Sequence, residues 1–147
     1  NNVYANTVEN TGTGATTFQD NVTATNVNVN AGTSTFQDNL TATTTTITTG
    51  TGNFNTVSGT TTSNLQFTDN GTANLNNGLT GNVTTTADNK GTLNLVGSNN
   101  QTVTGTVGGV GASLEKVSSG ATGATSTFVN NVYANTVENT GTGATTF

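Results

Sequence analysis

The sequence predicts an all-β chain, a parallel β-helix (β-solenoid) with rungs of about 18–20 residues, and three observations carry that reading. First, Thr17-Phe18-Gln19-Asp20-Asn21 returns as Thr35-Phe36-Gln37-Asp38-Asn39 and again, more loosely, as Asn53-Phe54-Asn55, so the phenylalanines recur every 18 residues. Second, the chain is saturated with Thr and Asn, punctuated by Val, Leu and Phe, and contains no proline. β-Branched residues favour strands, and a proline would remove one donor from a sheet whose strands are all interior. Third, Asn1 to Phe18 reads NNVYANTVENTGTGATTF and Asn130 to Phe147 reads the same, an exact repeat at an offset of 129 residues.

The long repeat divides the chain into a single continuous solenoid segment. Residues 1–16 read as the end of one repeat rung, 17–145 as one full unit of 129 residues, and 146–147 as the start of the next. Within the unit, seven rungs are expected to start near Thr17, Thr35, Asn53, Ala73, Leu93, Ser113 and Thr127. Stacked about 4.8 Å apart, seven rungs advance roughly 34 Å.

Inside each rung apolar residues alternate with polar ones, which places them on one side of a strand. The expected interior stack is Phe18, Phe36 and Phe54; Val22 and Leu40; Val29, Ile47 and Leu65; Leu75 and Leu95; and Val83 and Val103. Gly and Asn gather between these stretches, as at Gly12-Thr13-Gly14, Gly50-Thr51-Gly52, Asn77-Gly78 and Gly108-Gly109, where corners call for unusual backbone angles. A lone rung cannot stand. Ordering a residue costs about 1–2 kcal/mol, whereas a buried Val, Leu or Phe returns about 1.5–3, so stability has to come from rung stacked on rung.

Composition excludes much chemistry. Cys and His are absent, which removes disulfides, zinc clusters of the usual kind, thiol nucleophiles and a Ser-His-Asp triad. Only 29% of residues are hydrophobic and 6% charged, against about 45–50% and 25% in ordinary globular chains. The formal net charge of −5 argues against nucleic acid and against an anionic membrane surface. No apolar run approaches the roughly 20 residues of a membrane-spanning helix. No catalytic residue and no cofactor are expected, and the protein does not read as an enzyme.

Two surface features are weighed as sites. Asp20 and Asp38 stand one rung apart, so calcium is the sharp reading and two solvated corner residues the plain one. Thr-x-Thr pairs recur at Thr23/Thr25, Thr41/Thr43, Thr60/Thr62, Thr84/Thr86 and Thr104/Thr106, a candidate binding face that in a flat array would match ice. The plain alternative is that Thr is the default polar strand residue. Lys90 and Lys116 read as solvated.

The stretches Asp88-Asn89-Lys90-Gly91-Thr92-Leu93-Asn94-Leu95, Val103-Thr104-Gly105-Thr106-Val107-Gly108, Leu114-Glu115-Lys116-Val117 and Phe128-Val129-Asn130-Asn131-Val132-Tyr133-Ala134 carry a resemblance. Over residues 82 to 137 the sequence resembles the passenger repeats of rickettsial surface-cell-antigen autotransporters of the outer-membrane protein A and B type. The resemblance implies a right-handed parallel β-helix, secreted to the bacterial cell surface, that adheres to host cells or forms a coat. The residues by themselves point to a rigid extracellular rod or filament that associates with itself, end to end or in tandem, with host-cell adhesion and ice binding as alternatives.

Overall fold

The computed structural model describes all of residues 1–147. It contains fifteen strands and no helix, wound into stacked parallel coils of about 19 residues, a β-solenoid of about eight turns. Each coil has three faces. Four long strands, β1 (Val3–Asn10), β3 (Val22–Val29), β5 (Leu40–Ile47) and β7 (Thr61–Phe67), bend in the middle and supply two faces each. In β3 the bend is visible in the burial: Val22 and Ala24 turn inward, Thr25 and Asn26 are both exposed, and Val27 and Val29 turn inward again. Two outward residues in succession shift the alternation by one.

Face 1 comprises the first halves of these strands, then Leu79 and Thr80, then β11 (Gln101–Val103), β13 (Ser126–Phe128) and β15 (Thr145–Thr146). Face 2 comprises the second halves, then β9 (Val83–Thr85), Val107 and Val132. Face 3 is a seven-stranded sheet of β2 (Ala15–Phe18), β4 (Thr33–Phe36), β6 (Thr51–Phe54), β8 (Thr72–Leu75), β10 (Thr92–Leu95), β12 (Leu114–Ser119) and β14 (Ala134–Asn139).

Every named strand pairs parallel to its neighbours one coil away, so the core is a set of columns. On face 3 the rings of Phe18, Phe36 and Phe54 stack at centroid separations of 5.0 and 5.4 Å, nearly parallel, and Leu75 and Leu95 continue the column. Offset stacking of this kind adds to the burial itself. On face 1, Val22 sits on Val3, Leu40 on Val22 and Thr61 on Leu40; Leu79, Val103 and Phe128 follow. Thr61 is a buried hydroxyl in an apolar column. Its Oγ1 donates to Asn55 Oδ1 at 2.6 Å, and Asn55 Nδ2 donates to the Asp38 carbonyl at 2.8 Å. Asn55 holds a left-handed φ of 55°, a conformation asparagine tolerates, and so turns the corner with both ends of its amide satisfied. No buried side-chain nitrogen or oxygen is left unpaired.

The register departs from the expected one in two places. Ile47 carries Phe67 rather than Leu65, which stacks on Thr45. Val83 lies between Leu65 and Val107, while Val103 lies between Leu79 and Phe128. All of these side chains are buried, but they belong to different columns. The cause is uneven coil length: β7 skips one residue opposite β5 between Thr41 and Thr44, and corners such as 55–60 and 96–100 add residues. A constant step of 20 misses both.

The same irregularity moves the rung boundaries. The outward column that starts at Thr17 runs through Thr35, Asn53, Asn74, Asn94, Ser118 and Glu138. Ala73 and Leu93 are therefore one residue early. Ser113 lies at a corner, and Thr127 lies on face 1 between Thr102 and Thr146. As a result the two copies of the eighteen-residue repeat occupy different faces. Val3 lies on face 1 and Val132 on face 2; Phe18 lies on face 3 and Phe147 on face 1, its ring 5.4 Å from that of Phe128. The repeat of 129 residues is six coils plus one face, not seven, with a rise of about 30 Å.

Glycine is required where a corner crosses the column below. Gly91 has φ +80°, and a Cβ there would lie 2.1 Å from the Phe67 ring. Phe36 is fully buried between two other rings. Replacing it with alanine leaves a cavity in the middle of the stack, and denaturant unfolding is expected to show a loss of about 3–5 kcal/mol. Phe18→Ala, at the end of the column and half-buried, is expected to cost less.

Candidate functional site

The candidate site is the outward surface of the columns. Face 1 presents Tyr4, Thr23, Thr41, Thr62 and Thr80 in one exposed file, each paired with the next. Thr104 follows, since Val103 lies against Leu79. The local cause is a recurring dipeptide: Val22-Thr23, Leu40-Thr41, Leu79-Thr80 and Val103-Thr104 each put the apolar residue inward and the threonine outward. Thr80 belongs to this file although the Thr-x-Thr spacing passes over it. The apolar-Thr pair was the better signal.

The remaining threonines of the expected face are dispersed. Thr25 and Thr43 form a second outward pair that stops at the skipped residue of β7, where Thr44 faces Asn64. Thr60 stands at a corner, its main-chain N–H and Oγ1 both donating to Asn39 Oδ1 at 2.9 and 3.2 Å. Thr84 lies on face 2 in the outward column of Glu9, Asn28, Thr46 and Gln66. Thr86 sits at the end of that face and Thr106 beside Asn82, whose Oδ1 accepts its main-chain N–H at 3.0 Å. The ten threonines do not make one flat array, because Thr60, Thr86 and Thr106 fall outside the strands, Thr84 lies on face 2, and the Thr25/Thr43 pair ends where β7 drops a residue.

The surface also carries asparagine ladders that the sequence reading did not single out. On face 3, Asn53 Nδ2 donates to Thr35 Oγ1 at 3.4 Å, Asn74 Nδ2 to Asn53 Oδ1 at 2.8 Å, Asn94 Nδ2 to Asn74 Oδ1 at 2.9 Å, and Ser118 Oγ to Asn94 Oδ1 at 2.6 Å. At the corner between faces 3 and 1, Asn39 Nδ2 donates to Asn21 Oδ1 at 2.7 Å. An amide both donates and accepts, so identical residues stacked in register satisfy one another along the axis.

Charges are few and tied between coils. Lys90 Nζ lies 2.8 Å from Asp69 Oδ1, and Lys116 Nζ 2.5 Å from Glu138 Oε1, so neither lysine is simply solvated. The Lys90 ammonium donates to Asp69 and holds its carboxyl below the ordinary range. The Ser113 hydroxyl, and then its main-chain N–H at 3.0 Å, do the same for Asp88. Asp20 and Asp38 occupy matching corners of successive coils. Asp38 accepts the Ser58 hydroxyl at 3.2 Å, and no group of three or more acidic side chains gathers anywhere.

No family model matches the chain, and searches of curated proteins and of solved structures return no match either.

Two measurements check this surface. Asn74→Ala interrupts the face 3 ladder and strands the amides of Asn53 and Asn94; thermal or urea unfolding is expected to show a loss of about 1–2 kcal/mol, and Asn64→Ala, outside it, less. For Asp69 and Asp88 the folded pKa lies below the unfolded one. Their contribution is therefore complete above the ordinary carboxylate value of about 3.9 and is lost as pH falls through the depressed values. A series of melting temperatures between about pH 2 and 6 is expected to fall on the acid side, and more shallowly in Asp88→Asn.

Proposed function

We propose that the chain is a repeat segment of an extracellular structural rod, whose outward Thr and Asn columns provide adhesive surface. The observation that carries this reading is the unbroken parallel stack: apolar columns inside, amide and hydroxyl ladders outside, and acids paired between coils instead of converging on a pocket. Such a body resists bending because every coil is hydrogen-bonded to the next over three faces, and its stability grows with each added neighbour. Nothing in its chemistry asks for a small substrate.

The rod acts by length and by surface. At about 4.8 Å per coil, each added unit of 129 residues extends it by about 30 Å without a new kind of contact. The exposed file from Tyr4 to Thr104 is uncharged and would hold a partner through hydroxyls and methyl groups. A threonine file one residue wide, flanked by a Thr25/Thr43 pair that goes no further, favours this role over ice binding, which calls for a wide flat array. The same rod tethered at one end is the adhesin-passenger reading, supported by the resemblance of residues 82 to 137; a C-terminal barrel in the full gene distinguishes it from a free filament.

Electron microscopy of the native material, with immunogold labelling of intact cells, tests the proposal. Labelled filaments or surface rods with a layer spacing near 4.8 Å are expected. Label confined to the interior of broken cells, or a protein without rod shape, would overturn it.

A further inference from the structure

Unequal corners leave a hollow in the middle of the stack. One coil passes from its core residue on face 3 to the aligned core residue on face 1, Leu75 to Leu79, through residues 76–78 alone. The coil before it uses 55–60, between Phe54 and Thr61, and the coil after it uses 96–102, between Leu95 and Val103. The short corner therefore lies between two longer ones that stand out on either side. The gap is a hollow of about 130 Å³. Beyond Asn77 it continues onto face 1 as a second hollow of about 230 Å³, past Thr80 and Thr102. Gly97 lets the upper wall close on the floor, since a Cβ there would overlap the Asn76 carbonyl oxygen.

The lining is polar and uncharged. Val57 and Leu79 are its apolar members, and no Asp, Glu, Lys or Arg borders either hollow. Several side chains are held by one end with the other left open. Asn76 Nδ2 donates to the Phe54 carbonyl at 3.0 Å and Asn77 Nδ2 to the Gly59 carbonyl, so each amide is fixed while its Oδ1 has no partner in the chain. Asn100 is held the other way: its Oδ1 accepts the Thr125 N–H at 2.9 Å and its Nδ2 is open. Gln101 lies beneath, 2% exposed, its Oε1 accepting the Gly78 N–H at 3.3 Å. Its Nε2 sits under Gly97, donates to no group of the chain and is reached from the surface. The main chain of the floor is already occupied: Leu79 donates to Thr102, Thr104 to Leu79, Thr80 to Thr61 and Ser63 to Thr80.

We propose that this hollow binds a neutral glycan, a run of uncharged sugar units lying along the short corner and onto face 1. The inference rests on the reading of the chain as an adhesive rod and names the chemistry of the partner. A sugar hydroxyl both donates and accepts, which matches open amide oxygens and open amide nitrogens set around one gap. Amides already fixed at one end lose little freedom when a ligand binds. An apolar small molecule would call for a lining of apolar and aromatic side chains. A sulfated or carboxylated glycan would call for a lysine or arginine where there is none. A peptide strand would need free main-chain groups along an edge, and the ladder here is closed. Without an aromatic ring to stack on, each hollow holds its sugar weakly, and a rod carrying many of them holds by their number.

Titration of the isotope-labelled 147-residue chain, followed by amide chemical shifts, reads weak binding residue by residue. The probes are neutral hexasaccharides of glucose, of mannose and of N-acetylglucosamine, with a heparin hexasaccharide and an uncharged serine-glycine hexapeptide for comparison. At least one neutral hexasaccharide is expected to shift the side-chain amides of Asn76, Asn77, Asn100 and Gln101 in a saturable way, and both comparison probes to leave them in place. Asn77 and Asn100 are exposed, so the double variant Asn77→Ala with Asn100→Ala is expected to keep its circular dichroism and to bind about tenfold more weakly. Saturable shifts confined to the threonine file at Thr23 and Thr41 would overturn the hollow as the site and leave the adhesive rod standing. No response to any neutral hexasaccharide, a response to the heparin or peptide probe alone, or undiminished binding by the folded variant would each overturn the inference. None of these results bears on the rod shape and surface location that microscopy reads.

Discussion

The backbone ladder between coils is the constraint on which the rest depends. Each strand interior to the stack must find donors and acceptors on both sides, and it finds them only if the coil below and the coil above run parallel at one strand spacing. Given that spacing, a side chain has no choice of neighbour along the axis. It meets whatever occupies the same position one coil away, which is why phenylalanine lies on phenylalanine and asparagine on asparagine. Proline is incompatible with this arrangement, and several of the few charges meet the opposite sign or a hydroxyl on the next coil, as Asp69 meets Lys90 and Asp88 meets Ser113.

A chain with so few apolar residues can fold because the columns concentrate them. Phe36, Phe54, Phe67 and Phe128 are all buried in the interior, and the places where an apolar residue is missing are filled by paired hydroxyls, such as Thr45 Oγ1 and Ser63 Oγ at 2.9 Å. Coils of different length coexist because the additional residues are expelled at corners. The segment 108–113 turns back on itself through Gly109 and Ala112 and leaves Val110 fully outside, without disturbing Val107 beneath Val132. The strands keep register; the corners absorb the differences.

Much of this was legible in the sequence. The 18-residue step from Phe18 to Phe36 to Phe54 fixed a column, the absence of proline pointed to interior strands, and the corner glycines lay where turns occur. Register beyond Phe54 was not legible, because nothing in a linear step reveals that β7 drops a residue or that 96–100 adds several. The exact repeat misled in a specific way. Identical sequence implied an identical place in the coil, yet the same eighteen residues serve on different faces, since what they require is an inward, outward and bent pattern that any two successive faces can accept. The threonine surface was half legible for a related reason: alternation says which residues share a side of a strand, but not where the strand bends.

The claim that tests most directly is the columnar register, and the six phenylalanines report it. Nuclear Overhauser contacts between assigned, selectively labelled rings in the 147-residue chain should link Phe18 to Phe36, Phe36 to Phe54, and Phe128 to Phe147, with Phe67 joined to none of them. A contact network that instead joined Phe128 or Phe147 to the Phe54 end of the first column, or showed no ring-to-ring contacts in a folded chain, would contradict the account.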